Sequence, residues 1–110
     1  MANNWNVPPA LESEIRNRDT KCVYCGVDFG SDGTRKTSAT WEHIVNDARI
    51  VTPENIALCC FSCNSSKGAK QLTDWLETDY CKNRGIDRNA VAQVVLEALI
   101  NPLRLEQQTT

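Results

Sequence analysis

WEHIVNDARIVTPENIALCCFSCNSSKG, residues 41–68, gathers the only histidine of the chain, a carboxylate beside it, two suggestively placed asparagines, Asn55 and Asn64, and a CxxC pair in one continuous stretch. Glu42 next to His43 puts a hard oxygen ligand beside a nitrogen base able to take a proton near neutral pH. Neighbours along a strand face opposite sides, so the two need not serve one ion. A carboxylate on a cation, with a free imidazole nearby, is an arrangement that activates water. Asn55 follows the turn-like Thr52-Pro53-Glu54, where its amide can hold a neighbouring backbone or the imidazole by hydrogen bonds. Asn64 comes directly after Cys63. Its amide oxygen is a hard ligand, and a zinc thiolate next to it would hold it at the start of the following helix.

The cysteines work outward from that stretch. Cys22/Cys25 and Cys60/Cys63 are two CxxC pairs separated by 34 residues. With no signal peptide at the N-terminus, such pairs read as zinc ligands of a protein in a reducing, cytoplasmic compartment sooner than as disulfides. Cys60 gives the CxxC spacing to Cys63, so Cys59, pointing the other way on a strand, is expected to be a core thiol. Cys81 is expected to be a helix-end thiol without a role, and Trp41 and Trp75 to be core residues.

The acidic residue, histidine, later asparagine and final asparagine, here Glu42, His43, Asn55 and Asn64, resemble the HNH endonucleases. The two CxxC pairs and the ending CNSSKG are similar to the zinc-bound branch of that family. The resemblance spans residues 22 to 68 or so. It implies an α+β, ββα-metal domain with a structural Zn²⁺ on Cys22, Cys25, Cys60 and Cys63. It also implies a catalytic Mg²⁺ or Mn²⁺ held by Glu42 and Asn64, with His43 as general base and Asn55 orienting the imidazole. The chain departs from the family where a proline and a glycine pair often follow the histidine: Asn46, Asp47 and Ala48 stand there instead. The hairpin turn is therefore expected to have its own shape.

Length and charge bound the rest. A chain of 110 residues makes one small domain, with little core to spare, so a structural metal would add stability that the core lacks. A formal charge of -2 excludes a protein that coats nucleic acid by bulk positive charge, and places the burden on local cations. Arg35, Lys36, Arg49, Lys67 and Lys70 are expected to line one nucleic-acid-binding face. No apolar run is long enough for a membrane span.

In chain order, residues 1–20 form an N-terminal docking segment, with Pro8-Pro9 opening a helix through Leu11, Ile15 and Arg18. Residues 21–70 form the zinc-bound core. Within it lie a knuckle over 21–29 turned by Gly26, a basic loop over 31–38, strands over 39–45 and 55–59, and a helix from 64 to about 72. Residues 71–105 carry C-terminal helices: an aromatic stripe on Leu72, Trp75, Leu76 and Tyr80, a break at Gly85, then a helix capped by Asp87 and stopped by Pro102. That last helix is expected to pack inside the domain against the N-terminal one, in preference to offering part of its face to a partner, and residues 106–110 are expected to be a disordered tail. The expected activity is hydrolysis of DNA phosphodiester bonds, alone or inside a larger nuclease or phage complex, in an oligomeric state left open. The competing class is a non-catalytic zinc module that recognises nucleic acid or a protein partner.

Overall fold

The computed structural model describes residues 7–47 and 49–101. The segment around Trp5, the stop at Pro102 and the tail from Glu106 lie outside the described residues. Among those described, five α-helices surround a two-stranded antiparallel sheet, an α+β architecture.

Strands β1 (Ala39–His43) and β2 (Ile56–Cys60) form the middle layer, with Trp41 opposite Leu58 and His43 opposite Ile56. All residues of β2 are buried because both faces of the hairpin are covered. Trp41, Ile56 and Leu58 pack on one face against Ile15 of helix α1 (Pro9–Arg18). Ala57 and Cys59 face the other way into the larger core, with Tyr24, Ile44 and Trp75. Strand alternation thus puts His43 on the α1 side and Glu42 on the side of the larger core.

Helix α1 begins as expected, with proline in its first turn, where a missing N–H costs nothing. Its docking has two parts. Ile15 is fully buried, worth about 1.5–3 kcal/mol by transfer of its side chain from water. The buried carboxylate of Asp19, just past the helix, accepts from Leu58 N at 3.0 Å, while Arg18 donates to the carbonyls of Pro53 and Ile56. Together they staple α1 to the hairpin.

Several boundaries differ from the sequence expectations. β1 ends at His43 and does not reach Val45, because the side chain of Asn55 takes both the N–H and the carbonyl of Val45 out of the ladder. Helix α2 (Phe61–Lys67) starts three residues before the expected Asn64, since Cys60 is its N-cap and its sulfur accepts from Cys63 N. It stops at Gly68, whose φ of +50° suits glycine alone. The expected aromatic helix is two short ones, α3 (Leu72–Leu76) and α4 (Asp79–Arg84), divided by Thr78, whose hydroxyl caps α4. Asp87 caps a turn, accepting from Asn89 N, and α5 (Gln93–Ile100) begins later.

The expected packing of the last helix on the first is also corrected. Val94, Val95 and Ala98 of α5 join Val23, Trp75 and Ile86 in the larger core, whereas α1 lies in the other cluster across the hairpin. Ala92 N donates to Val23 O at 2.8 Å, anchoring the start of α5 to the knuckle. No helix among the described residues is long and apolar enough to cross a membrane.

Candidate active site

The knuckle brings two thiols to the N-terminus of α2. Cys22 N donates to Val27 O and Gly26 N to Cys22 O, closing a turn in which Gly26 takes a φ of +78°. Val23 N donates to Leu58 O, which sets that turn beside the end of β2. The sulfurs of Cys22, Cys25, Cys60 and Cys63 consequently lie within 4.8 Å of one another, the only such convergence of three or more His, Cys, Asp or Glu side chains among the described residues. Cys25 Sγ and Cys60 Sγ are 3.8 Å apart. A tetrahedron with Zn–S bonds of about 2.3 Å has edges of about 3.8 Å, so this spacing fits a structural zinc.

Bonds around the sulfurs support thiolates. Tyr24 N and Cys25 N donate to Cys22 Sγ, Cys63 N to Cys60 Sγ, and Tyr80 Oη to Cys63 Sγ at 3.3 Å. Hydrogen bonds from Cys22, Cys60 and Cys63 hold the Cys25 thiol far below the ordinary range, while those to Cys22, Cys25 and Cys60 push Cys63 far above it. Four sulfurs this close cannot all ionise without a cation among them. Cys59 is fully buried beside Thr40 and stays outside the cluster, its ionisation suppressed by burial. Cys81 is likewise buried, at the first turn of α4.

At the far end of the hairpin stands His43. Its imidazole is half-buried, and burial, then the charge of Lys67, lowers its pKa, with Asp47 acting in the opposite sense. At neutral pH it is therefore held in the neutral, proton-accepting form. Asn55, fully buried, sits under the loop that follows. Its Oδ1 accepts from Val45 N at 2.7 Å, and both hydrogens of its amide go to carbonyls, Val45 O at 3.2 Å and Ile50 O at 3.1 Å. Of the two partners open to it in the sequence, it holds the backbone two residues past His43. Asn46 ties the same loop to the end of α2 by donating to Ala69 O.

Glu42 faces the opposite side. Its carboxylate is 5 % exposed, accepts from the Tyr24 hydroxyl, and pairs with Lys67 Nζ at 3.0 Å. Burial raises its pKa, and Lys67 and Tyr24 work against that rise. Asn64 lies one turn before Lys67 on the same side of α2. Its amide nitrogen donates to Thr40 Oγ1 at 2.9 Å and Trp41 O at 3.0 Å, leaving its oxygen as the uncommitted end. Thr40 and Glu42 share a face of β1, so Asn64, Lys67 and Glu42 meet in the seam between β1 and α2.

The expected basic face is redrawn. Lys67 is 1 % exposed and also donates to His43 O, so it is a seam residue and not a phosphate contact. A helix-surface lysine and a buried one look the same until the strand beneath is placed. Arg49 is exposed but grips Asp47 through two of its nitrogens, which neutralises it. Lys70 is exposed and donates to Ser66 O near the end of α2. Arg35 stands over the ring of Phe61 at 4.5 Å, and Lys36 lines a cleft of about 380 Å³ beside the four-thiol cluster.

That cleft adds residues the sequence reading passed over. Its walls include Cys25, Cys60, Ser62, Tyr80 and Arg84, with Arg84 over the Tyr80 ring at 4.2 Å. The signal was Tyr80 and Arg84 one helical turn apart, on one side of a short helix. Neither Lys36 nor Arg84 has a carboxylate partner among the described residues. Asp32, on the rim, is committed to Thr34 and Thr37, whose hydrogen bonds lower its pKa.

A hairpin, the helix that follows it and a four-thiol cluster beside them, of a geometry that fits a metal ion, define a small ββα unit. Residues 22–70 match the family model described as HNH endonuclease. The match runs from the first thiol of the knuckle to Lys70 and supports a nuclease-like or nucleic-acid-binding function. No curated protein and no solved structure matches the chain.

The clamp made by Asn55 gives a direct expectation. Asn55→Ala leaves Val45 N, Val45 O and Ile50 O without their partner, and should destabilise the zinc-loaded protein by about 2–4 kcal/mol. Chemical denaturation measures it; a loss under about 1 kcal/mol would mean that water replaces the amide readily.

Proposed function

We propose that the domain hydrolyses DNA phosphodiester bonds, with His43 taking the proton of the attacking water. The observation that carries this reading is the HNH match over residues 22–70, which contains a neutral imidazole at the end of β1 with its following loop held by Asn55. A neutral base is what water activation needs at physiological pH. Asn55 positions His43 through the backbone.

The donors in the seam, a carboxylate and an amide oxygen, have the chemistry of a site for a hard cation. Glu42 and Asn64 would hold Mg²⁺ or Mn²⁺ there. When bound, such an ion supplies charge stabilisation for the phosphate and the leaving 3′ oxygen. The zinc cluster has the structural task of binding the knuckle to the start of α2. We place the protein in a reducing, cytoplasmic setting, where its thiols remain available to zinc.

For substrate contact we assign Arg35, Lys36, Lys70 and, beyond the original set, Arg84. The cleft meets α2 at Ser62, and Lys67 of the seam lies about 8 Å further along the same helix. Lys36→Glu combined with Arg84→Glu should weaken DNA binding and flatten the slope of log affinity against log salt by about 2. Fluorescence anisotropy over a salt series reads both. Unchanged DNA affinity with weakened zinc retention would instead assign the two cations to the negative charge of the zinc–thiolate centre.

A zinc module that binds without cutting is the second reading, favoured by the Glu42–Lys67 pair, which already balances the carboxylate. Supplying Mg²⁺ or Mn²⁺ to zinc-loaded protein on supercoiled plasmid separates the two. Nicking supports the nuclease, and a mobility shift without nicking supports the module.

A further inference from the structure

We propose that Lys67 is the resident counter-cation of Glu42 and that a divalent cation gains this carboxylate only by displacing it. The affinity of the site for Mg²⁺ or Mn²⁺ would then be set by a side chain of α2 that competes with the ion. The proposal rests on the reading of Glu42 as a cation ligand.

The geometry is specific. Lys67 is 1 % exposed and Glu42 is 5 % exposed, so neither charge is screened by water and each depends on the other. Nζ stands 3.0 Å from Oε2, the same oxygen that accepts from Tyr24. A divalent ion on this carboxylate would stand close to the ammonium, and two cations cannot share a buried site this small without strong repulsion. Displacement has an evident route. Lys67 is the last residue of α2, and Gly68, Ala69 and Lys70 after it are exposed, so the side chain can swing to solvent with little rearrangement of the helix.

The same ammonium donates to His43 O at 3.4 Å. Its departure would therefore be felt at the end of β1, where the proposed base lies. Lys67 in this view is a positioning residue, linking the carboxylate seam on one face of the strand to the imidazole on the other.

The test uses the zinc-loaded full chain. Mn²⁺ binding is measured by electron paramagnetic resonance for the wild type, for Lys67→Met, which keeps the apolar stem, and for Glu42→Gln. Lys67→Met is expected to bind Mn²⁺ at least tenfold tighter than the wild type, and Glu42→Gln to bind none at this site. Because Lys67→Met leaves a buried carboxylate unpaired and can disturb folding, the wild type is examined in parallel. The side-chain ammonium of Lys67, shielded from solvent by burial, gives a ¹H–¹⁵N signal that Mg²⁺ should abolish or shift to the position of a solvated lysine as the site fills. A Lys67 signal unmoved at saturating Mg²⁺, with binding that still requires Glu42, would overturn the competition while leaving the cation-ligand reading intact. Absence of Mn²⁺ binding in both wild type and Lys67→Met would overturn both together.

Discussion

Cys60→Ser is expected to unfold the ββα unit, whereas Cys59→Ser, one residue away, should leave a folded, zinc-loaded protein. Cys60 has two tasks. Its sulfur is one corner of the four-thiol cluster, and it also caps α2 by accepting from Cys63 N at 3.4 Å. A serine hydroxyl can cap a helix but is a poor zinc ligand, so the substitution removes the metal and leaves the cap. Zinc binding by such sites is worth about 10–16 kcal/mol in isolated fingers, more than a domain of this size has in reserve. Cys59 contributes only packing and a contact with Thr40. Its replacement should cost about 1–3 kcal/mol, the range for placing a hydroxyl in a core site. Zinc content per folded protein and circular dichroism distinguish the two variants, and equal damage would mean that the ligands are assigned in the wrong register.

His43→Ala is expected to lower DNA cleavage by about 10²- to 10⁴-fold with zinc content, fold and DNA affinity close to wild type. The imidazole is half-buried at the end of β1, and the backbone carbonyl of His43 accepts from Lys67 in the seam. Alanine keeps that carbonyl. Asn64→Ala should differ in kind. It removes a proposed cation ligand together with the bonds to Thr40 and Trp41, so part of its lost activity should return at higher Mg²⁺ or Mn²⁺. Metal should not rescue His43→Ala, because no added ion restores the proton acceptor. Full-rate cleavage by His43→Ala would remove the proposed base and leave the fold untouched.

Much of this arrangement was legible in the residues because the physics involved is local. Two CxxC pairs define a sulfur tetrahedron without reference to the fold, and strand alternation alone divides Cys59 from Cys60 and Glu42 from His43. Prolines at 8 and 9 announced α1 for the same reason. The features missed depend on tertiary neighbours. Lys67 has the sequence context of a solvated helix charge, and only the approach of β1 to α2 makes it a buried partner of Glu42. Ala92 has no capping side chain, and α5 begins there because Val23 O receives its N–H. Other signals were present in the chain. Thr78-Asp79 is a capping pair that divides the aromatic stripe, and Cys60 could have been recognised as the cap of α2 once it was a thiolate. The candidate site follows the same pattern. The Asn55 amide holds the Val45 backbone and not the imidazole, and Arg84, whose one signal was its spacing from Tyr80, lines the cleft.

The proposed activation of water by His43 for attack on DNA phosphorus is measured directly by cleavage in H₂¹⁸O. A short duplex is incubated with zinc-loaded protein and Mg²⁺ or Mn²⁺, and the fragments are weighed by mass spectrometry. Expulsion of the 3′ oxygen by water predicts 5′-phosphate and 3′-hydroxyl ends, with one ¹⁸O in each new phosphate, from the wild type and almost none from His43→Ala. Intact duplex with the wild type, or fragments whose phosphates carry no ¹⁸O, would contradict it.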